Sequence, residues 1–307
     1  MQQIWDLIHF GYPDDIFPGH PKFAERFQNL CRAFAHFYQE YSTQPLWVVP
    51  INEISFLAWH AGEAKGTVPF ATNNGWEIKY HLCQAAILGI EILKEEIPDC
   101  RVILVEPLIA IHDSETSDSQ QVFEANEHQF QAMDMIAGRL CPELNGKEEY
   151  LDILGLNYYW NCQWQFGGET LVWPELEPRR IPLRHLLTKV YQRYQKPIFL
   201  SETGHIGVGR AQWLKEVATE CRALQTQGVP FYGICLYPVV DRPNWDNLHE
   251  YHDCGIFDVD LNLNRQPHFE LISSIKKIQA AITTSLGQRH PPLTALTGIK
   301  RELTPQD

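Results

Sequence analysis

The sequence predicts an α/β protein of the TIM (β/α)8-barrel type, with about six of the eight βα units present in this chain. Three observations predict it. Six short apolar runs alternate with six helical patterns, a repeat that implies a parallel sheet. Helix-to-strand links such as Gln195-Lys196 and Gly228 are very short, Cys141–Tyr150 apart, whereas strand-to-helix links are long and hold most of the Trp, His, Asn and Asp. That asymmetry gives a barrel its plain bottom and elaborated top. No strand is followed by a GxGxxG or P-loop motif, and Gly204-His205-Ile206-Gly207 is too irregular to count, which disfavours the doubly wound nucleotide-binding sheets.

The elements follow in order. Ile4–Phe10 reads as a strand, and after the turn-rich Gly11–Pro21 the residues Phe23, Phe27, Leu30, Phe34, Phe37 and Tyr41 recur at helical spacing, an expected core-facing stripe. Pro45–Ile51 is the second strand, followed by an expected long loop containing Trp59, His60, Phe70, Asn73 and Asn74. A helix is expected from about Gly75 to Ile97, with Ile87, Ile90 and Leu93–Lys94 on an alternating face, then a strand at Arg101–Glu106 and a helix at Val122–Leu140. Leu151–Leu156 is the fourth strand. Pro182–Tyr194 is helical, Pro197–Ser201 extended, and Arg210–Gln227 helical with Gly228 suited to a left-handed C′ position. Val229–Leu236 is the sixth strand and His268–Ile282 the last helix. The barrel domain is thus expected over 1–283, and the polar stretch 284–307, with Pro291, Pro292 and Pro305, as a disordered tail.

Composition narrows the function. The 307 residues are 44% hydrophobic with nine Trp, enough for a large core, and the net charge of −13 argues against nucleic acid or anionic lipid as a partner. A neutral ligand such as a sugar is compatible. The eight Cys show no CxxC and no metal-like spacing; Cys31, Cys83 and Cys221 fall in helix-like stretches and read as buried thiols. No secretory h-region opens the chain and no apolar run approaches a bilayer span, so a cytoplasmic location without a membrane span is expected. His249, His252 and Asp253 cluster without the spacing of a metal site, and neither a metal nor a cofactor is expected.

Two strands end in carboxylates. Pro-Leu-Trp-Val-Val-Pro-Ile-Asn-Glu (45–53) delivers Asn52 and Glu53, and Lys-Pro-Ile-Phe-Leu-Ser-Glu-Thr-Gly (196–204) delivers Glu202, to the edge of the sheet where α/β proteins put their chemistry. A lone Glu53 could equally cap the next loop. A pair of strand-end glutamates is what glycosidic bond cleavage needs.

The motifs in their order resemble a family 1 glycoside hydrolase, a β-glucosidase-like member of the retaining β/α-barrel clan. The residues concerned are Asp6-Leu7-Ile8-His9-Phe10-Gly11-Tyr12-Pro13, Ile51-Asn52-Glu53, Leu154-Gly155-Leu156-Asn157-Tyr158-Tyr159, Leu200-Ser201-Glu202-Thr203-Gly204, and Phe257–Asp260 with Asn264–Pro267. The resemblance implies Glu53 as acid/base, Glu202 as nucleophile and a substrate with a β-glycosidic bond, the two carboxyls standing about 5–5.5 Å apart. It further implies that Asn52 meets the sugar 2-hydroxyl, that Tyr159 holds Glu202, and that Asn157, on the same side of its strand as Tyr159, faces the site. His9 would contact a sugar hydroxyl, with a backbone-bonded core His as the other reading. Trp245 and Asp246 would form a platform and a hydroxyl acceptor, or else pack within their own loop. The resemblance begins at the family's third strand, so either two leading βα units are missing or the fold is completed differently, since six strands alone leave two open sheet edges. Leu236-Tyr237-Pro238-Val239-Val240-Asp241 departs from the family's Trp-bearing segment, which leaves the sugar undecided. Transfer to an acceptor hydroxyl by the same two-step route, or carbohydrate binding without catalysis by a truncated barrel, remain the alternatives.

Overall fold

Short β-branched and apolar runs form one parallel sheet in this computed structural model, which describes residues 2–115, 117–174, 177–244 and 247–286. Its strands are β1 (Trp5–Asp6), β2 (Trp47–Val49), β3 (Arg101–Pro107), β4 (Ile153–Asn157), β5 (Ile198–Thr203) and β6 (Phe231–Leu236). They lie in chain order, each parallel to the next. A doubly wound sheet would reverse direction partway; a singly wound one is the barrel arrangement. The rings of Trp47 on β2 and Tyr232 on β6 come within 6.0 Å although three strands separate them, which only a curled sheet allows. The fold is therefore α/β, a TIM-type barrel with six of eight strands. Among the described residues, the outer sides of β1 and β6 have no pairing strand, and both β1 residues are exposed.

β3 is buried from Val102 to Glu106 because both its faces are covered. Ile103 and Val105 join Val49 and Ile153 in an apolar cluster flanked by Trp47 and Phe199. Alternation turns Val102, Leu104 and Glu106 to the opposite face, towards the helices. The helices of the chain are α1 (Phe23–Tyr41), α2 (Ile54–Gly62), α3 (Gly75–Glu96), α4 (Ser119–Glu127), α5 (Gln131–Ile136), α6 (Leu183–Tyr194), α7 (Arg210–Thr226) and α8 (Phe269–Leu286).

Three local expectations need correcting. In α1 the buried face is Phe23, Phe27, Cys31, Ala35 and Tyr38, while Leu30, Phe37 and Tyr41 are exposed. The aromatic stripe had selected a neighbouring face, since Cys31 and Ala35 carry the contact without looking strongly apolar. The segment read as a loop after Glu53 begins with α2, whose apolar residues lack the polar face that marks a surface helix. The single helix expected over 122–140 is two, α4 and α5, divided by a 3₁₀ turn at His128–Phe130. Gly228 does take positive φ, +85°, just beyond α7.

Contacts divide the chain into two compact units. The first comprises Met1–His205 and Thr219–Tyr237 and contains the whole sheet. The second comprises Ile206–Ala218 and the described residues from Pro238 onward. Within it, Phe257–Val259 pairs antiparallel with Arg265–Pro267, and buried Arg210 donates to Asp258 Oδ1 (2.6 Å) and to the Gly255 carbonyl (2.7 Å). Asp241 accepts the backbone N–H groups of Cys254, Gly255 and Val259. Residues 284–286 lie in α8, and 287–307 lie outside the described residues. No helix among the described residues is long and apolar enough to cross a membrane.

Candidate active site

All site residues described below belong to the first unit. Beyond β2 the chain stays anchored to both neighbouring strands: Asn52 N–H donates to the Ile8 carbonyl (2.9 Å) and Glu53 N–H to the Val105 carbonyl (3.0 Å). Glu53 then takes a left-handed conformation (φ 45°, ψ 59°) that turns the chain into α2. For a residue with a side chain this costs about 1–2 kcal/mol and persists where the surroundings over-determine it.

Glu202 is aimed by a different device. On β4 and β5, Leu156 opposes Leu200, but Asn157 opposes Glu202, so Ser201 is an extra residue. The resulting bulge puts Ser201 and Glu202 together at Asn157, where strict alternation would turn one of them away. Ser201 Oγ donates to Asn157 Oδ1 (2.7 Å). That bond fixes the amide, so its Nδ2 donates to Glu53 Oε1 (3.0 Å), and the same side chain lowers the proton affinity of Glu202. One buried amide thus bears on both carboxyls. Gly155, two residues before Asn157, is needed here: a Cβ on it would lie 2.7 Å from Val105 Cγ2 and 2.8 Å from Ser201 Oγ.

The Tyr159 hydroxyl donates to Glu202 Oε2 (2.6 Å), and its own pKa is pushed far up by burial and the neighbouring carboxylate, so it stays a donor. His9 Nδ1 bonds Asp6 Oδ2 (2.8 Å), and this bond, with a smaller contribution from Glu202, raises its pKa. Asn52 is 2% exposed, and its Nδ2 has no hydrogen-bond partner among the described residues. A buried, unsatisfied amide donor costs free energy until something accepts from it.

The carboxyls differ electrostatically. Glu53 is pushed well above the ordinary value of 4.5 by burial and then by the charge of Glu202, with Asn157 opposing. Glu202 is raised by burial, but the Tyr159 hydroxyl, His9 and Asn157 all pull it back. When one proton is shared by this pair, Glu53 holds it and Glu202 carries the charge.

The structure therefore brings His9, Glu53, Asn157, Tyr159 and Glu202 into one interacting set, with Asn52 on the adjoining turn. Trp245 and Asp246 lie outside the described residues. Sequence reasoning missed Ser201 as the group that orients Asn157; its place directly before Glu202 was the available signal. It also gave Glu106 only as the last residue of the strand Arg101–Glu106, whereas its carboxylate accepts the Ser55 N–H with both oxygens, at 3.1 and 3.2 Å.

No protein-family model matches the sequence, and no curated protein matches it. Solved structures do share the fold. An enzyme from Alicyclobacillus herbarius aligns with a TM-score of 0.73 at 17% identity, over 91% of this chain and 74% of that one. The β-glucosidase of Thermotoga maritima in complex with glucoimidazole aligns with a TM-score of 0.68 at 15% identity, over 85% of this chain and 70% of that one. A structure of the family 1 β-glucosidase from the same organism gives 0.66 at 15% identity, over 85% and 69%. At these identities the likeness is one of fold.

Proposed function

We propose that this chain carries the site of a retaining glycosidase that cleaves β-glycosidic bonds by double displacement. The observation that supports this most is the Asn157 amide, which bonds Glu53 and also lowers the proton affinity of Glu202, two carboxyls whose surroundings push their proton affinities apart. Separated affinities are how two groups of one chemical type take opposite roles.

In this reading Glu202, ionised and held by the Tyr159 hydroxyl, attacks the anomeric carbon, while Glu53 protonates the departing glycosidic oxygen. A glycosyl ester on Glu202 results. Glu53, now ionised, takes a proton from water, which displaces Glu202 and restores the starting state. The unpartnered Asn52 Nδ2 is the donor for a sugar hydroxyl next to the reacting carbon, a bond that gains strength as charge develops. The β-glucosidases of like fold, one in complex with glucoimidazole, favour a β-glycoside substrate.

The decisive experiment follows product anomers by proton NMR during hydrolysis of aryl β-glycosides. The β-anomer appearing before mutarotation is the expected result. First release of the α-anomer, or no release at all from a panel of β-glucosides and β-galactosides, would overturn the reading.

A further inference from the structure

We propose that Glu106, buried at the end of β3, is a positioning residue for Glu53: its carboxylate grips the first turn of α2 and so fixes where the acid/base side chain points. The inference rests on the functional reading above and adds a group that never meets the substrate. Glu106 is 2% exposed, and strand alternation places it on the helix-covered face.

The argument begins with the start of α2. The first N–H groups of a helix have no partner within it, and the preceding cap residue ordinarily accepts one with its side chain. Here the cap residue is Glu53, which makes no such bond. Its side chain is turned towards Asn157 instead. A helix whose cap residue is committed elsewhere takes an acceptor from the neighbouring strand: Glu106 receives Ser55 N–H with both oxygens and interacts with Ile54 N–H as well. The restraint on Glu53 itself comes from the previous residue of β3, since Val105 carbonyl accepts Glu53 N–H. Two consecutive residues of one strand thus clamp the left-handed turn from both sides.

The electrostatics agree with this geometry. Glu106 faces Ile54 and Ser55 on α2 and Lys79 and Cys83 on α3. Burial pushes its carboxyl up to about 7, and the Ser55 bonds and the Lys79 charge pull the other way. Lys79 is itself held by Gln131 Oε1 at 2.8 Å. Glu53 faces Glu202 on β5 and Asn157 on β4, with Tyr159 and Cys162 beyond. After burial and Glu202, the charge of Glu106 is a further influence holding the proton on Glu53.

The test compares kcat/KM of wild type, Glu106→Ala and Glu106→Gln on phenyl and dinitrophenyl β-glycosides of glucose and galactose. A dinitrophenolate leaves without protonation, so only the phenyl glycoside reports the aim of the acid. Glu106→Ala is expected to lose about 100-fold on the phenyl glycoside and far less on the dinitrophenyl one. Glu106→Gln keeps an acceptor for Ser55 N–H, so it recovers most of that loss while its alkaline limb moves to lower pH. Equal losses on both glycosides overturn the proposal, because general damage to the fold does not discriminate between leaving groups. If Glu106→Ala does not fold, Glu106→Met, which removes the acceptor but keeps the volume, replaces it on the same pair of glycosides, and equal losses there overturn the proposal. A wild type that cleaves neither glycoside rejects the parent reading, and this one with it.

Discussion

The ends of β2 and β5 present the same functional group by opposite means. At β2 the backbone leaves the sheet, and Glu53 is thrown inward by a left-handed turn into α2. At β5 the backbone stays in the sheet, and an extra residue, Ser201, rotates Glu202 into place. Their partners differ as well. Glu53 has one amide donor and stands near two other carboxylates, whereas Glu202 has a tyrosine hydroxyl, an amide and a histidine. The role of a glutamate is therefore set by which donors the local backbone brings to it, and the two ends can be tested separately.

Glu202→Ala should produce the largest effect, a loss on the order of 10⁴ in kcat, because the proposed ester forms on this carboxylate. Azide should restore turnover as an α-glycosyl azide, detectable by NMR, since a small anion fits where the carboxylate stood. Glu53→Gln should cost about 10²–10⁴ on phenyl glycosides and little in kcat/KM on dinitrophenyl ones, with azide now giving the β-glycosyl azide. The same substitution should raise Tm at neutral pH. Folding raises the Glu53 pKa above 4.5, so ionisation of the unfolded chain draws the equilibrium towards unfolding as pH climbs from there towards the folded value. The gain in Tm should vanish below pH 4.5. A gain that persists in acid, measured by calorimetry, would contradict the assignment of the proton to Glu53.

The contrast between the two ends also explains what was legible in the sequence. Six βα units and the strand-end positions of Glu53 and Glu202 follow patterns of adjacent residues, and the pairing of Tyr159 with Glu202 comes from the family resemblance. The left-handed turn at Glu53 and the bulge at Ser201 do not, because each is decided by neighbours on another strand: Val105 and Glu106 for the first, Asn157 for the second. α2 was hidden for a related reason. Enclosed among other elements, Leu57, Ala58 and Ala61 need no polar partners at helical spacing. In α1 the apolar residues were plain, but Leu30, Phe37 and Tyr41 face away from the core of the sheet's own helices.

Tyr159→Phe sharpens the comparison at one end only. A hydrogen bond to a charged group is worth about 1.5–3 kcal/mol, so kcat/KM should fall roughly ten- to a hundredfold. The Tyr159 hydroxyl lowers the Glu202 pKa, so its removal should carry the acid limb of the pH profile upward and leave the alkaline limb in place. Ser201→Ala should have the smallest effect, and it bears on both ends at once. Losing a neutral hydrogen bond of about 0.5–1.5 kcal/mol frees the Asn157 amide, which otherwise lowers the pKa of Glu53 and Glu202 together. Both limbs should therefore move upward in step, with kcat reduced about tenfold at most. If only one limb moves, the amide serves one carboxyl, and the two strand ends are not coupled through Asn157.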